Sequence, residues 1–351
     1  MFKAELTVED ARAGMLKLQP KIERYADLIV RKGVNVEAGQ EVVIQAPVEV
    51  APFVRTLVAR AYAAGAGHVT VIWSDDEITR LTYENVEASW FEWFLPGSAS
   101  SRFACRGRCV LHLCRGADPE ALKGIDPAKP RLPPRRATSS AGHIAVWIST
   151  STRGVSPALR WSLGPAACIR ALRTRSPCIV WCAILSVARA DGDDPESAWE
   201  LHDATFEKNL RLLNDRHFDR LHYTSANGTD LWVGMTDRHV WEGGSSVTPE
   251  GREFSPNIPT EEVFTSPDCD RVDGIVYSAL PLVRHGNKID RFWLRFESGS
   301  VVEFDAEVGR DTLESILETD EGARRLGEVA LISKNTPIRE TGILFYDTLY
   351  D

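Results

Sequence analysis

The sequence predicts an α/β protein: an N-terminal α/β domain built on a parallel sheet, followed by a C-terminal domain of mixed α/β character. Three observations carry that expectation. EVVIQA (Glu41–Ala46), an apolar helical pattern from Val50 to Ala61 and HVTVIW (68–73) read as strand, helix and strand over about thirty residues, a right-handed βαβ unit with parallel strands. Two later stretches, Leu221–Gly234 and Arg291–Phe304, alternate apolar and polar residues around Asn227-Gly228 and Glu297-Ser298-Gly299, as antiparallel hairpins do. Between these halves, DDPESAWELHDATFEKNLRLLND (193–215) has the spacing of a capped helix joining two domains, here placed at 1–195 and 196–351.

From Pro20 to Gly33, Ile22, Ala26 and Ile29 share one helical face and Gly33 suits the C′ position, which predicts a surface helix. In the next helix Val50, Phe53, Val54, Leu57, Val58 and Ala61 form the apolar side, ending at Gly65. Gly65 and Gly67 sit after a helix and before a strand, the wrong side for cradling a pyrophosphate, so no dinucleotide site is read there. SDDEITRLTYENV (74–86) is a third helix, and Asp75, Asp76 and Glu77 in its first turn complement the helix dipole rather than bind a metal. The linking helix buries Trp199, Phe206, Leu210 and Leu213. HVWEGGSSVTPEG (239–251) is a loop near the acidic stretch 257–265, 312–317 is a helix, and Val329–Ile332 is an apolar strand behind a tight Gly327.

Composition bounds the function. A chain of 351 residues, 43% apolar, can build two cores, and a formal charge of −9 argues against nucleic acid or an anionic membrane as partner. No run approaches the length of a membrane span, and the first sixteen residues are too charged for a signal peptide, so a cytoplasmic location is expected. Six of seven cysteines fall between Cys105 and Cys182 without CxxC pairing, which fits free thiols in a reducing compartment and neither a disulfide framework nor structural zinc.

Two windows, 94–115 and 131–190, stand apart in composition. The second holds no Asp, Glu or Lys, while arginine recurs at 131, 135, 136, 153, 160, 170, 173, 175 and 189. An Arg, Ser, Cys and Pro excess, interrupted by the ordinary island Ala117–Pro130, has the character of a GC-rich gene read out of frame and then restored. Mass spectrometry of native peptides across 131–190 distinguishes that origin from a genuine sequence. Arginines with Trp147, Trp161 and Trp181 follow the spacing of no RNA-binding module.

The chemistry concentrates in NIPTEEVFT (257–265), where two adjacent carboxylates lie between a proline and an apolar pair. Pro259 biases Ile258 away from helix, and Thr260 is free to cap the next element. In either a strand or a helix start Glu261 and Glu262 diverge, so one can face a cleft while the other meets a supporting partner. Downstream, Glu328 stands at the lip of the strand 329–332. His222, His239 and His285 show no metal spacing to one another, and His222, on a strand among apolar residues, is read as a packed core histidine. Asp230 and Glu242 offer further oxygens.

PNIPTEEVFT, LETDEGARRLGEVAL and ISKNTPIRETGILFYDTLYD together resemble the M29 metallo-aminopeptidases, over about residues 20 to 92, 117 to 130 and 190 to 351. The resemblance implies a metal-dependent aminopeptidase that hydrolyses the N-terminal residue of peptides at a dinuclear site, with Glu262 and Glu328 as metal ligands and a C-terminal metal-site domain. It also implies two divalent ions, zinc, cobalt or manganese, a peptide substrate and a homodimer. Glu261 becomes a candidate general base or supporting residue. The family's remaining ligands, a histidine, a tyrosine and a His-x-Asp pair, are expected after FYDTLYD, beyond Asp351. On that expectation residues 1–351 hold an incomplete ligand set with little peptidase activity, and the alternative is a non-catalytic peptide-binding or interaction protein derived from the family.

Overall fold

The structure is a computed structural model that describes residues 8–87, 108–112, 124–125, 177–248, 251–284 and 287–341. The first helix, α1 (Val8–Leu28), begins a dozen residues before the expected Pro20 and continues into a π-helical turn, Ile29–Gly33. Pro20 sits inside it: the bond it cannot donate belongs to the carbonyl of Leu16, and Leu16 is exposed, where solvent can satisfy that carbonyl. Nor is this a surface helix. Tyr25, Ala26, Leu28, Ile29 and Val30 are all buried, so the stretch is central to the first core.

The βαβ unit is as expected: β1 (Glu41–Pro47), α2 (Ala51–Ala63) and β2 (His68–Ser74), with β1 and β2 parallel. α3 (Asp76–Asn85) comes next, and Asp75 caps it by accepting from the Ile78 amide. β3 (Arg108–His112) adds to the other side of β1, again parallel, giving the order β2-β1-β3. This strand, and α4 (Pro177–Val187), come from the compositionally unusual windows. The remainder of those windows, apart from the residues up to Ala190 that succeed α4, lies outside the described residues. In α4, Trp181, Ile184, Leu185 and Val187 are buried in the first core.

The linking helix α5 (Pro195–Arg216) is capped by Asp194 and ends at His217 in the left-handed conformation. Its Trp199 lies in the first core and its Phe206 in the second, with Leu210 and Leu213 packed against the latter. Beyond it come β4 (Arg220–Thr224) and β5 (Asp230–Met235), a short ribbon of β6 (Ser246–Val247) and β7 (Glu253–Phe254), then β8 (Glu262–Thr265) and β9 (Pro267–Tyr277). β10 (Leu282–Arg284), β11 (Asn287–Glu297), β12 (Ser300–Val308), α6 (Arg310–Leu317), β13 (Val329–Ile332) and α7 (Pro337–Glu340) complete the described chain. Both expected hairpins form, β4–β5 and β11–β12, inside a six-stranded antiparallel sheet. β8 pairs separately with β13.

One crossing binds the two halves. Ile258, from the segment between β7 and β8, is fully buried in the first core together with Ile338. Around it the Tyr25 hydroxyl donates to the Ile258 carbonyl (3.3 Å), and the Ser255 amide donates to the Lys32 and Gly33 carbonyls (3.1 and 2.9 Å). The chain therefore dips into the first core immediately before it emerges as β8.

Candidate metal centre

Whether TEE begins a helix or a strand is decided for the strand. Glu262 is the first residue of β8, and Thr260, instead of capping a helix, is buried with its carbonyl 2.8 Å from Nε2 of His202. β8 is held on both sides. Its register against β13 pairs Glu262 with Ile332 and Thr265 with Val329, while Phe264 exchanges both backbone bonds with Glu242 (2.9 and 2.8 Å). The glycine- and serine-rich loop thus lies beside the acidic stretch, as expected. Gly243 makes this approach possible, because a Cβ there would stand 2.8 Å from the Glu262 carbonyl oxygen.

Alternation divides this narrow sheet into two faces. Val263 and Val329 turn into the second core with Leu331 packed beside them. Glu262, Phe264, Ala330 and Ile332 belong to the opposite face, as does Glu242 by its pairing with Phe264. Glu262 opens β8 and Glu328 immediately precedes β13, and since the ladder pairs Glu262 with Ile332 and Thr265 with Val329, the two glutamates stand at opposite ends of this ribbon and not across from one another.

The carboxylates differ in surroundings. Glu262 is 7% exposed. Glu328 is more open, has no hydrogen-bond or ion-pair partner among the described residues, and burial pushes its carboxyl above the usual range. Glu261 points the other way. Its side chain is buried against Arg189, with Nη2 at 2.7 Å from Oε1, and His202 Nε2 is 3.8 Å from Oε2. Of the two roles open to Glu261, the pairing with Arg189 on the face away from Glu262 suits that of a supporting residue better than that of a general base. Nearby, Lys32 pairs with Asp203 at 2.6 Å across the same junction.

His202 and Arg189 escaped the sequence reading. The signal for His202 was available in its spacing from Trp199 and Phe206, which puts all three on one helical face. Burial, with the Arg189 guanidinium second, holds the His202 imidazole below its ordinary pKa. The histidines singled out fare differently. His222 is not a core residue: it is exposed, stacked on Trp232 at 3.9 Å, and bonded to Asp230 at 2.7 Å. His239 is buried and stacked on His217 at 4.2 Å, with Nδ1 on the Thr236 carbonyl. His285 lies outside the described residues.

Hard oxygen donors suit a divalent cation, and Glu262 with Glu328 fit such an ion by donor type. The comparisons with known proteins point the same way. The family model described as thermophilic metalloprotease (M29) matches residues 18–351. Aminopeptidase T of Thermus thermophilus is 38% identical over 342 residues, covering 94% of this chain and 81% of that protein. Aminopeptidase AmpS of Bacillus subtilis is 39% identical over 335 residues with the same coverage. The solved structure of wild-type AmpT from Thermus thermophilus superposes with a TM-score of 0.78 at 35% identity, over 95% of this chain and 83% of that one. The chain belongs to the M29 family of thermophilic metalloproteases.

Proposed function

We propose that this protein is a metal-dependent aminopeptidase, releasing the N-terminal residue of peptides. The observation that carries the reading is the match of residues 18–351 to the M29 metalloprotease family, in a chain more than a third identical to proteins named aminopeptidases. Glu262 and Glu328 are the proposed ligands, for two ions drawn from zinc, cobalt and manganese. When bound, such a pair supplies Lewis acidity and lowers the pKa of a coordinated water. The protein's part is to hold these carboxylates oriented. Buried surroundings limit the positions open to Glu262, and Glu261, tied to Arg189, fixes the peptide just before it. A peptide substrate, a homodimer and a cytoplasmic location belong to the same proposal, with neither nucleic acid nor membrane as partner. The acidic charge supports the exclusion of nucleic acid, and among the described residues no helix is long and apolar enough to cross a membrane.

The test is hydrolysis of aminoacyl-anilides with added zinc, cobalt or manganese, by the wild type and by Glu262→Gln and Glu328→Gln. Each substitution is expected to lower kcat/KM by more than about 100-fold, the upper end of what removing even a ligand's supporting contact costs. A wild type that binds peptides yet hydrolyses no anilide with any of the three metals would favour the non-catalytic alternative.

A further inference from the structure

We propose that His202 is a positioning residue for the metal centre, acting on Glu262 through the Thr260 carbonyl; this rests on the reading of Glu262 as a ligand. A carbonyl only accepts, so Nε2 of His202 carries the proton and donates it at 2.8 Å. The ring has little freedom to do otherwise. Trp199 and Phe206 meet it edge-on, with centroids at 5.0 and 4.7 Å and planes at 85° and 75°, and its side chain is 9% exposed.

What the bond holds is the entrance to β8. The ladder to β13 starts at Glu262, and the bridge to Glu242 lies further on, at Phe264. Thr260 therefore precedes both sets of backbone bonds, and its carbonyl is bonded from α5 instead. With the Tyr25 hydroxyl on the Ile258 carbonyl, the chain is pinned at two of the four residues leading into Glu262. Loss of the imidazole donor removes the bond on the Thr260–Glu261 peptide and leaves the Glu261–Arg189 pair to hold that stretch, so the backbone entering Glu262, and with it the carboxylate, is less firmly placed.

The experiment separates the donated proton from the ring's packing. His202→Phe keeps an aromatic ring between Trp199 and Phe206 and removes the donor, whereas His202→Gln removes the ring and returns an N–H where Nε2 lies. Cobalt(II) titration of the full chain is monitored by the visible absorption of the bound ion, with circular dichroism on the same samples to verify folding. H202F is expected to bind cobalt about 10- to 100-fold more weakly, with an altered absorption band, and H202Q to recover most of the wild-type affinity. Any other ordering of the two variants overturns the proposal, and H202L takes the place of H202F should the larger ring prevent folding. E262Q separates the two ideas. Lost cobalt binding in E262Q beside wild-type binding in H202F overturns the role of His202 alone. Wild-type binding in E262Q, or no cobalt uptake by the wild type, overturns the ligand reading and the present inference together.

Discussion

A carboxylate drawn out of water needs a countercharge, a proton or a metal, and the glutamates around β8 illustrate the choice. Glu261 has Arg189. Replacing Arg189 by alanine strands a buried charge and should cost about 3 kcal/mol in urea-unfolding free energy. Removing the half-buried Arg295, which pairs with the exposed Glu303 at 2.9 Å, should shift the unfolding midpoint little. Cys109 is a second case. Burial pushes its thiol from 9.0 to about 11, outweighing the Arg252 guanidinium, so folding favours the protonated form. The resulting stability is complete below the unfolded-state value and is lost as pH climbs through the window between 9.0 and about 11. Thiol-reactive dye at mildly alkaline pH should label the exposed Cys182 and Cys269 and spare Cys109 until denaturant is added. At this scale the sequence is readable only in part. The divergence of Glu261 and Glu262 comes from chain geometry, but that Arg189 meets one of them is set by contacts 72 positions apart. The core reading of His222 fails because strand alternation contradicts it: Leu221 and Tyr223 turn to the second core, so the residue between them must turn out.

Among the elements, hairpins are the most legible because their chemistry is local. The turn between β11 and β12 has Ser298 at φ 47° and Gly299 at φ 80°, the left-handed pair that two-residue hairpins use. Gly299 is fixed twice over. Its conformation disfavours a side chain, and a Cβ would stand 1.8 Å from the Cys269 carbonyl oxygen. Gly299→Ala should therefore destabilise by more than about 2 kcal/mol, seen as a lower Tm, whereas Gly192→Ala meets nothing within 4 Å and should change Tm little. α1 is less legible for a physical reason: a proline has the same signature at a helix start as at an interior position whose lost bond solvent replaces, and only the surroundings of Leu16 separate the two.

For the whole molecule, periodicity assigns each strand and helix to a face but cannot say which core that face joins. The division at residues 195 and 196 tracks composition and the start of α5, yet Ile258 and Ile338 pack in the first core and Trp199 and Phe206 fall to different cores on one helix. Ile258→Ala should cost about 2–5 kcal/mol, the range for a fully buried isoleucine. Because the same residue leads into β8, that variant should also weaken cobalt binding, measured in the same titration. The passage of residues 255–260 through the first core has a practical consequence for anyone dividing this chain. A fragment cut just before residue 255 retains a socket with nothing to seat in it, and the complementary fragment carries a bare apolar hook at its leading end. The halves are better regarded as lock and key cast in one piece: β8 gets its footing from the core of the other half.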